Sequence, residues 1–596
     1  MIYPNLQEIQ VYNQMTTRFN GYNHSLKTMD GEFYETKNLT ADYYPLAASR
    51  QRRGTVAALA APQGLTSKDS LVYADGADLY YNGERVPGIV LSGIPDKQPK
   101  KFVSMGAYLC IFPDNLYLNT ADMTDYGSME ASWESSTGTT VKYSICKGDG
   151  TAYEKPAVSS DEPSNPENGD LWIDTSGDTH VLKQYSKAMS MWAEIASVYI
   201  KIEAAGIGQN ISAGDGIRIS GCKYTGSSET LKKQMEALNT TVLVKERGDN
   251  YIVVAGILDE AYTQAATDES KVSANRRVPK MDFVTECQNR LWGCYYGIED
   301  GKTVNEIFCC KLGDFKNWEA YAGISTDSFR ASCGTDGVWT GAVTYLGYPL
   351  FFKENYVHKA YVSSSGAHQI VSTAIDGVQK GSENSFAIIN DYLLYKSKTG
   401  ISLFDGTQAV SISEALGDVL YYDAVGGRLG GKYYVSMRDR DGLWHMLAYD
   451  VKKGLWMHED NTHAMFYADI GNDLYYIDAD TKELKAVRGT EGTEESDIEW
   501  EAVMGVMGYE YAEKKYLSRF KLRMSLEEGG WCEIYIQYDS SGIWEKRGVI
   551  DGRGVNRTFT IPVIPRRCDH LQIKLRGKGE FKLYSFARIL ERGSTH

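Results

Sequence analysis

No stretch of the 596-residue sequence approaches the roughly 20 consecutive apolar residues that span a bilayer as a helix. The opening residues, Met1-Ile2-Tyr3-Pro4-Asn5-Leu6-Gln7-Glu8, lack the basic start and apolar centre of a secretory leader, so none is expected. The ten cysteines include no CxxC pair. Apart from the adjacent Cys309 and Cys310 they are scattered among apolar residues, which predicts buried thiols in a reducing compartment rather than a disulfide or zinc framework. The nine histidines form no HExxH and no cluster with cysteine. Neither GxSxG nor the GxxxxGK[ST] pattern of a phosphate-cradling loop occurs. With the common catalytic motifs missing, the expectation is a protein that is not an enzyme, with no catalytic residues, no metal site and no cofactor.

What is present points to a packed, mainly β protein. Apolar residues make up 42% and charged residues 24%, which excludes wholesale disorder. The 58 glycines and 42 tyrosines suit short strands joined by tight turns. The net charge of −15 is unevenly spread. Residues 511–596 hold 17 Lys and Arg against 10 Asp and Glu, whereas residues 1–510 hold 46 against 68. An acidic body argues against a general DNA-binding groove. The asymmetry can orient a partner, or the two surfaces can be solvated independently.

Apolar runs closed by Asp75-Gly76 and Asn82-Gly83 are hairpin signals. A similar unit begins near Phe102, the pattern lapses for about 150 residues, and it returns from Phe283. The last four repeats start 44, 37 and 42 residues apart, the period of a four-stranded propeller blade. A lone blade buries neither of its faces, so blades must stack. The count predicts a β-propeller of about seven blades with a small inserted α+β region and a C-terminal β-sandwich. The expected division is an arm over 1–60, a first set of blades over 61–130, the insertion over 131–275, the remaining blades over 276–490 and the sandwich over 491–596. Within the insertion, Leu171-Trp172-Ile173, Leu182 to Tyr185 and Met191 to Ile195 predict a three-stranded sheet with aromatics on one face. Leu231, Met235 and Leu238 predict a helix from Ser228 to Leu238.

Two motifs invite chemistry and fall short. Ser332 to Trp339 resembles the Asp-box of sialidase-like propellers, but its spacing is wrong and Asp336-Gly337 reads as a turn. Asp439-Arg440-Asp441-Gly442 opens like a calcium loop but lacks the later oxygen ligands and the closing Glu. Arg50, Arg52 and Arg53 form a basic trio able to grip carboxylates or phosphate. They can equally be a cluster held by acidic neighbours of the same chain.

Phe19-Asn20-Gly21-Tyr22-Asn23, Asp30-Gly31-Glu32, Asn38-Leu39, Tyr44-Pro45-Leu46 and Arg50-x-Arg52-Arg53-Gly54 together precede the repeats. This arrangement resembles the tail hub and nozzle proteins of bacteriophages, also called packaged-DNA stabilisation proteins or tail tubular protein B. Ile564-Pro565-Arg566-Arg567-Cys568 resembles C-terminal segments of phage virion proteins, and Gly169 to Trp172 with Trp192 resembles small modules that decorate tails. The resemblance is diffuse and covers most of the chain. It implies a virion protein of the tail, assembled in the host cytoplasm as a homo-oligomeric ring, typically a hexamer. Such a ring meets the portal, the adaptor and other tail proteins. It extends the channel that retains the genome and conducts it on infection, passing viral DNA without sequence-specific binding and touching the host surface transiently. Arg50, Arg52, Arg53, Arg566 and Arg567 are the candidate subunit or DNA-channel contacts. The alternative is a tail-tip propeller that binds or cleaves glycans, through Trp172 and Trp192 or through blade aromatics.

Overall fold

Asn82 and Gly83 both take positive φ, 52° and 79°, which is the geometry a two-residue hairpin needs, and they join Asp78–Tyr81 to Glu84–Val90. The same device recurs along the computed structural model, which describes residues 10–93, 99–299, 301–362, 367–490 and 492–592. The chain is mainly β, with one α-helix among the described residues. Among the described residues, seven four-stranded sheets lie over 62–90, 101–128, 283–332, 341–374, 387–411, 421–460 and 464–486, with the sheets of the inserted segment between the second and third. In the last of these the fourth strand is Gly54–Ala58, from the other end of the sequence, with Glu483 opposite Ala58 and Lys485 opposite Thr55.

Burial falls from second strand to fourth in several of these sheets, whereas in the sheet over 421–460 the fourth strand, Leu455–Asp460, stays buried from Trp456 to Glu459. Tyr348–Lys353 and Lys432–Asp439 are buried on both faces for most of their length, whereas His368–Ala374 and Ala409–Ser411 are largely exposed. A strand covered on both faces is apolar at successive positions rather than alternating, and Leu350-Phe351-Phe352 and Tyr433-Tyr434-Val435 have that composition.

The chain divides into two compact units. One comprises 1–102, 337–359 and 371–596. Within it, consecutive sheets share cores. Leu394, Tyr433 and Trp456 lie in one between 387–411 and 421–460, and Tyr434, Leu474 and Tyr476 lie in the next. Two larger sheets complete this unit. Leu39–Thr40, Ala47–Ser49, Phe581–Arg592, Lys515–Leu526 and Arg557–Ile561 form one, with Val11–Thr16 added along Phe581–Arg592. Phe33–Lys37, Glu499–Met504, Leu571–Lys578, Trp531–Tyr538 and Glu545–Asp551 form the other. Both contribute to one core that includes Trp500, Phe520, Ile534, Ile573 and Phe586, and the arm adds Phe19 and Phe33 to it.

The second unit comprises 103–336 and 360–370. Its eight-stranded sheet begins with Ala131–Glu134 and ends in sequence with Ser273–Arg276, and these two strands pair, Ala131 opposite Arg276. The inserted segment therefore leaves the chain where it entered. Glu229–Ala237 is helical, capped by the Ser228 hydroxyl accepting from the Leu231 N–H at 3.3 Å, with Leu231 and Met235 buried. The small aromatic sheet has four strands rather than three, because Ala157–Ser159 adds parallel to Leu171–Asp174. Among the described residues no cysteine is in a disulfide, nine are buried, and no helix is long and apolar enough to cross a membrane.

Candidate functional site

The basic trio lies where the arm meets the sheets of its own unit. Arg53 is buried and donates to Glu459 Oε2 at 2.7 Å, Asp460 Oδ2 at 2.8 Å, Thr462 Oγ1 at 3.1 Å and the Tyr476 hydroxyl at 3.3 Å. Burial alone would raise the Asp460 carboxyl, but the Arg53 and Arg50 guanidiniums overcome it and hold the group down at about 2. Arg50 is buried as well. It pairs with Glu495 and donates through Nε to Asn38 Oδ1 at 2.7 Å. Arg52 reaches Glu527 Oε1 and Oε2 at 2.7 and 2.9 Å. The Glu580 N–H, and then Arg52, keep that carboxylate below its ordinary range against an opposing burial effect. The trio thus turns into its own chain. Arg566 and Arg567 stand apart on an exposed segment, where Arg566 pairs with Glu545 at 2.7 Å and lies over the Tyr538 ring.

A second cluster joins the arm to the Tyr421–Asp460 sheet through titratable groups in series. Glu35 Oε1 meets His458 Nδ1 at 2.7 Å, His458 Nε2 meets His445 Nδ1 at 3.4 Å, and His445 Nε2 meets Asp439 Oδ2 at 2.9 Å. His24 approaches Glu35 Oε2 at 3.8 Å. Antiparallel pairing carries His445 and His458 on adjacent strands, Trp444–Asp450 and Leu455–Asp460. Thr36 pins the arm beside them, its hydroxyl donating to the His458 carbonyl at 2.8 Å and accepting from the His458 N–H at 3.0 Å. Burial and the neighbouring His458 lower the affinity of His445 for a proton, against the pull of Asp439. Asp439 is held below its usual range because the bonds from His445 and the Leu443 N–H exceed the cost of burial. Two carboxylates bridged by two imidazoles can store a proton and pass it between ring nitrogens. Asp439, set aside in the sequence as part of a turn, is one end of this series. The other members were missed because Glu35 and His458 stand 423 positions apart. Among the described residues no group of three or more His, Cys, Asp and Glu side chains could hold a metal ion.

The small inserted sheet gathers aromatics as its sequence predicts. Trp172 and Trp192 have ring centroids 5.5 Å apart, and Tyr185 lies 5.3 Å from Trp192. Trp172 is buried under the Lys183 ammonium, whereas Trp192 and Tyr185 are half-buried.

No family model and no curated protein matches this chain. Solved structures do. An exo-β-1,3-galactanase from Phanerochaete chrysosporium, bound to galactose, is 10% identical, with 51% of this chain and 94% of that chain covered at a TM-score of 0.21. A glycoside hydrolase family 43 arabinoxylan arabinofuranohydrolase from Bacillus subtilis, in complex with cellotetraose, is 10% identical, with 51% and 94% covered at 0.17. AztD from Citrobacter koseri is 11% identical, with 75% and 96% covered at 0.24. The expectation that this chain is not an enzyme is corrected on this finding, since the matched structures include glycan-acting enzymes and missing sequence motifs give no ground for excluding catalysis. Likeness at these scores assigns no reaction.

Proposed function

We propose that the chain is a structural protein of a bacteriophage tail, a hub or nozzle subunit built as a seven-bladed β-propeller with a C-terminal β-sandwich. The observation that carries this reading is the pairing of Gly54–Ala58 with the sheet over 464–486. A propeller needs such a clasp between its two sequence ends, because an end blade is otherwise an open edge. The arm residues that resemble the phage family are the ones bound into the clasp, with Arg50, Arg52 and Arg53 anchoring it through Glu495, Glu527 and Glu459. The uneven charge of the sequence suits the unlike patches that neighbours present to each other in a ring. An acidic channel wall lets DNA slide rather than grip. Native mass spectrometry and negative-stain imaging of the full chain test this, with closed rings expected. A protein that stays monomeric at high concentration and is absent from purified virions overturns it.

A second reading, a tail-tip propeller that binds or cleaves glycans, is favoured by the half-buried Trp192 and Tyr185, which offer rings for stacking on sugar. The series from Glu35 to Asp439 supplies proton-handling groups for the cleaving form. Binding on a glycan array that is lost in Trp192→Ala supports the binding form. Turnover of labelled glycans that is lost in His445→Asn supports the cleaving form. Silence in both assays removes the second reading and leaves the first to the imaging.

A further inference from the structure

Lys396 ends the strand Tyr392–Lys396 and is 2% exposed. Its ammonium donates to Gln379 Oε1 at 2.8 Å and to the Ser397 carbonyl. Both acceptors are neutral, and among the described residues no carboxylate forms an ion pair with it. An ammonium carries three N–H donors, so one is left without an acceptor among the described residues. Elsewhere in the same unit three buried cations have countercharges, whereas Lys515 is held by the Gly508 and Tyr511 carbonyls at 2.6 Å. Arg53 has Glu459 and Asp460, Lys432 has Asp42, and Arg588 has Asp30. A buried charge without a countercharge is costly, and a site that keeps one is poised to receive it from outside.

Lys396 lines a cavity of about 200 Å³. Ser411, Ser413, Leu416, Tyr421 and Met437 line it as well, with the two serine hydroxyls 3.1 Å apart. We propose that this cavity binds a small organic carboxylate, free or carried on an acidic sugar, with the carboxylate on Lys396 and the carbon body against Leu416 and Met437. The volume is below the roughly 300–1,000 Å³ of drug-sized sites and suits a small ligand. The charges at the rim select a monoanion. Lys398 is already paired with Glu354 at 2.9 Å, and Glu414 is exposed beside the opening, where it repels a dianion more than a monoanion. Burial lowers the affinity of Lys396 for its proton to about 8, so the amine is mostly charged at neutral pH and loses its charge just above. The proposal rests on neither functional reading and stands or falls separately from ring formation and from glycan turnover.

The test is ligand-observed NMR titration of the full chain with glucuronate, acetate, inorganic phosphate and glucose. Saturable binding of glucuronate and acetate is expected, at millimolar concentrations and weakening above pH 8. Glucuronate tighter than acetate assigns the sugar-borne source, and equal affinities assign the free carboxylate. Lys396→Met should weaken binding at least tenfold. Glu414→Gln, at an exposed position, should tighten it several-fold and keeps the test open if the lysine variant does not fold. No saturation by either carboxylate, phosphate or glucose binding as tightly, or unchanged affinity in Lys396→Met overturns the proposal.

Discussion

Arg53 and Glu459 form a 2.7 Å ion pair in which the side chains are only 6% and 1% exposed. The pair ties the arm to the last strand of the sheet over 421–460. The Arg53 N–H also donates to Glu495 Oε1 at 3.0 Å, so the same residue engages the segment that leads into the C-terminal sheets. Arg53→Met leaves Glu459 and Asp460 buried without their cation. Removing one partner of such a pair costs about 3–5 kcal/mol. Denaturant unfolding should show a loss of that size, and Arg53→Lys should recover part of it by restoring the charge without the forked geometry. A loss below about 1 kcal/mol would mean that the two carboxylates find other partners.

Acid should act on the same junction in two stages. His445 binds a proton less readily in the folded chain than in the unfolded one, so the stability linked to it is present above the ordinary histidine value of 6.5 and is lost as pH falls below that. Away from this junction, His463, His368 and the Ser372-bonded His358 shift in the same direction, all through burial first, and they steepen the fall in overall stability. Asp460 behaves as a depressed carboxyl, its contribution complete above 3.8 and lost as pH drops towards 2. Unfolding free energies measured from pH 7.5 to 2 should decline throughout this range. His445→Asn should lessen the upper stage without changing the lower, and Arg53→Met should shrink the lower one.

The local half of this structure is legible in the sequence, and the non-local half is not. Asn82-Gly83 marks a hairpin because a turn of two positive-φ residues admits few other side chains. The helix reads from Leu231, Met235 and the Ser228 cap because each signal lies within one helical stretch. Ala157–Ser159 escapes notice because three residues show no period, and their partner Leu171–Asp174 runs parallel across a proline-rich loop. The arm strands Val11–Thr16 and Phe33–Lys37 pair with segments more than 450 positions away, which no window along the chain can reveal. The basic trio is visible as charge, but whether it faces carboxylates of its own chain or an outside phosphate is decided by those same long-range pairings.

The inserted helix offers a separable check on local structure. Ser228 Oγ satisfies one of the otherwise unpartnered N–H groups of the first turn. Ser228→Ala should destabilise the helix by about 1 kcal/mol, and Ser228→Asp should be close to neutral. Hydrogen exchange read over 229–238 should speed up in the alanine variant, while the sheet over 421–460 keeps its protection. Equal loosening of both would show that the helix and that sheet unfold as one body.

The clasp itself can be opened at one atom. The Thr55 N–H donates to the Thr493 carbonyl at 3.0 Å, and Thr55 stands opposite Lys485 beside an irregularity in the pairing. Thr55→Pro removes that donor and disturbs the neighbouring register, because proline has no N–H and is poorly tolerated inside a sheet. Once Gly54–Ala58 detaches, Glu483–Ala486 becomes an edge, and Leu484, fully buried against Ile477 and Leu65, is opened to water. Hydrogen exchange should rise first over 483–487 and then over 473–478, while Lys515–Leu526, held on both sides by Phe581–Arg592 and Arg557–Ile561, stays protected. In the ring-imaging experiment the same variant should give fewer closed particles than Thr55→Val, which keeps the N–H. Equal ring yield from the two would separate assembly from the clasp and remove the observation on which the tail-protein reading rests.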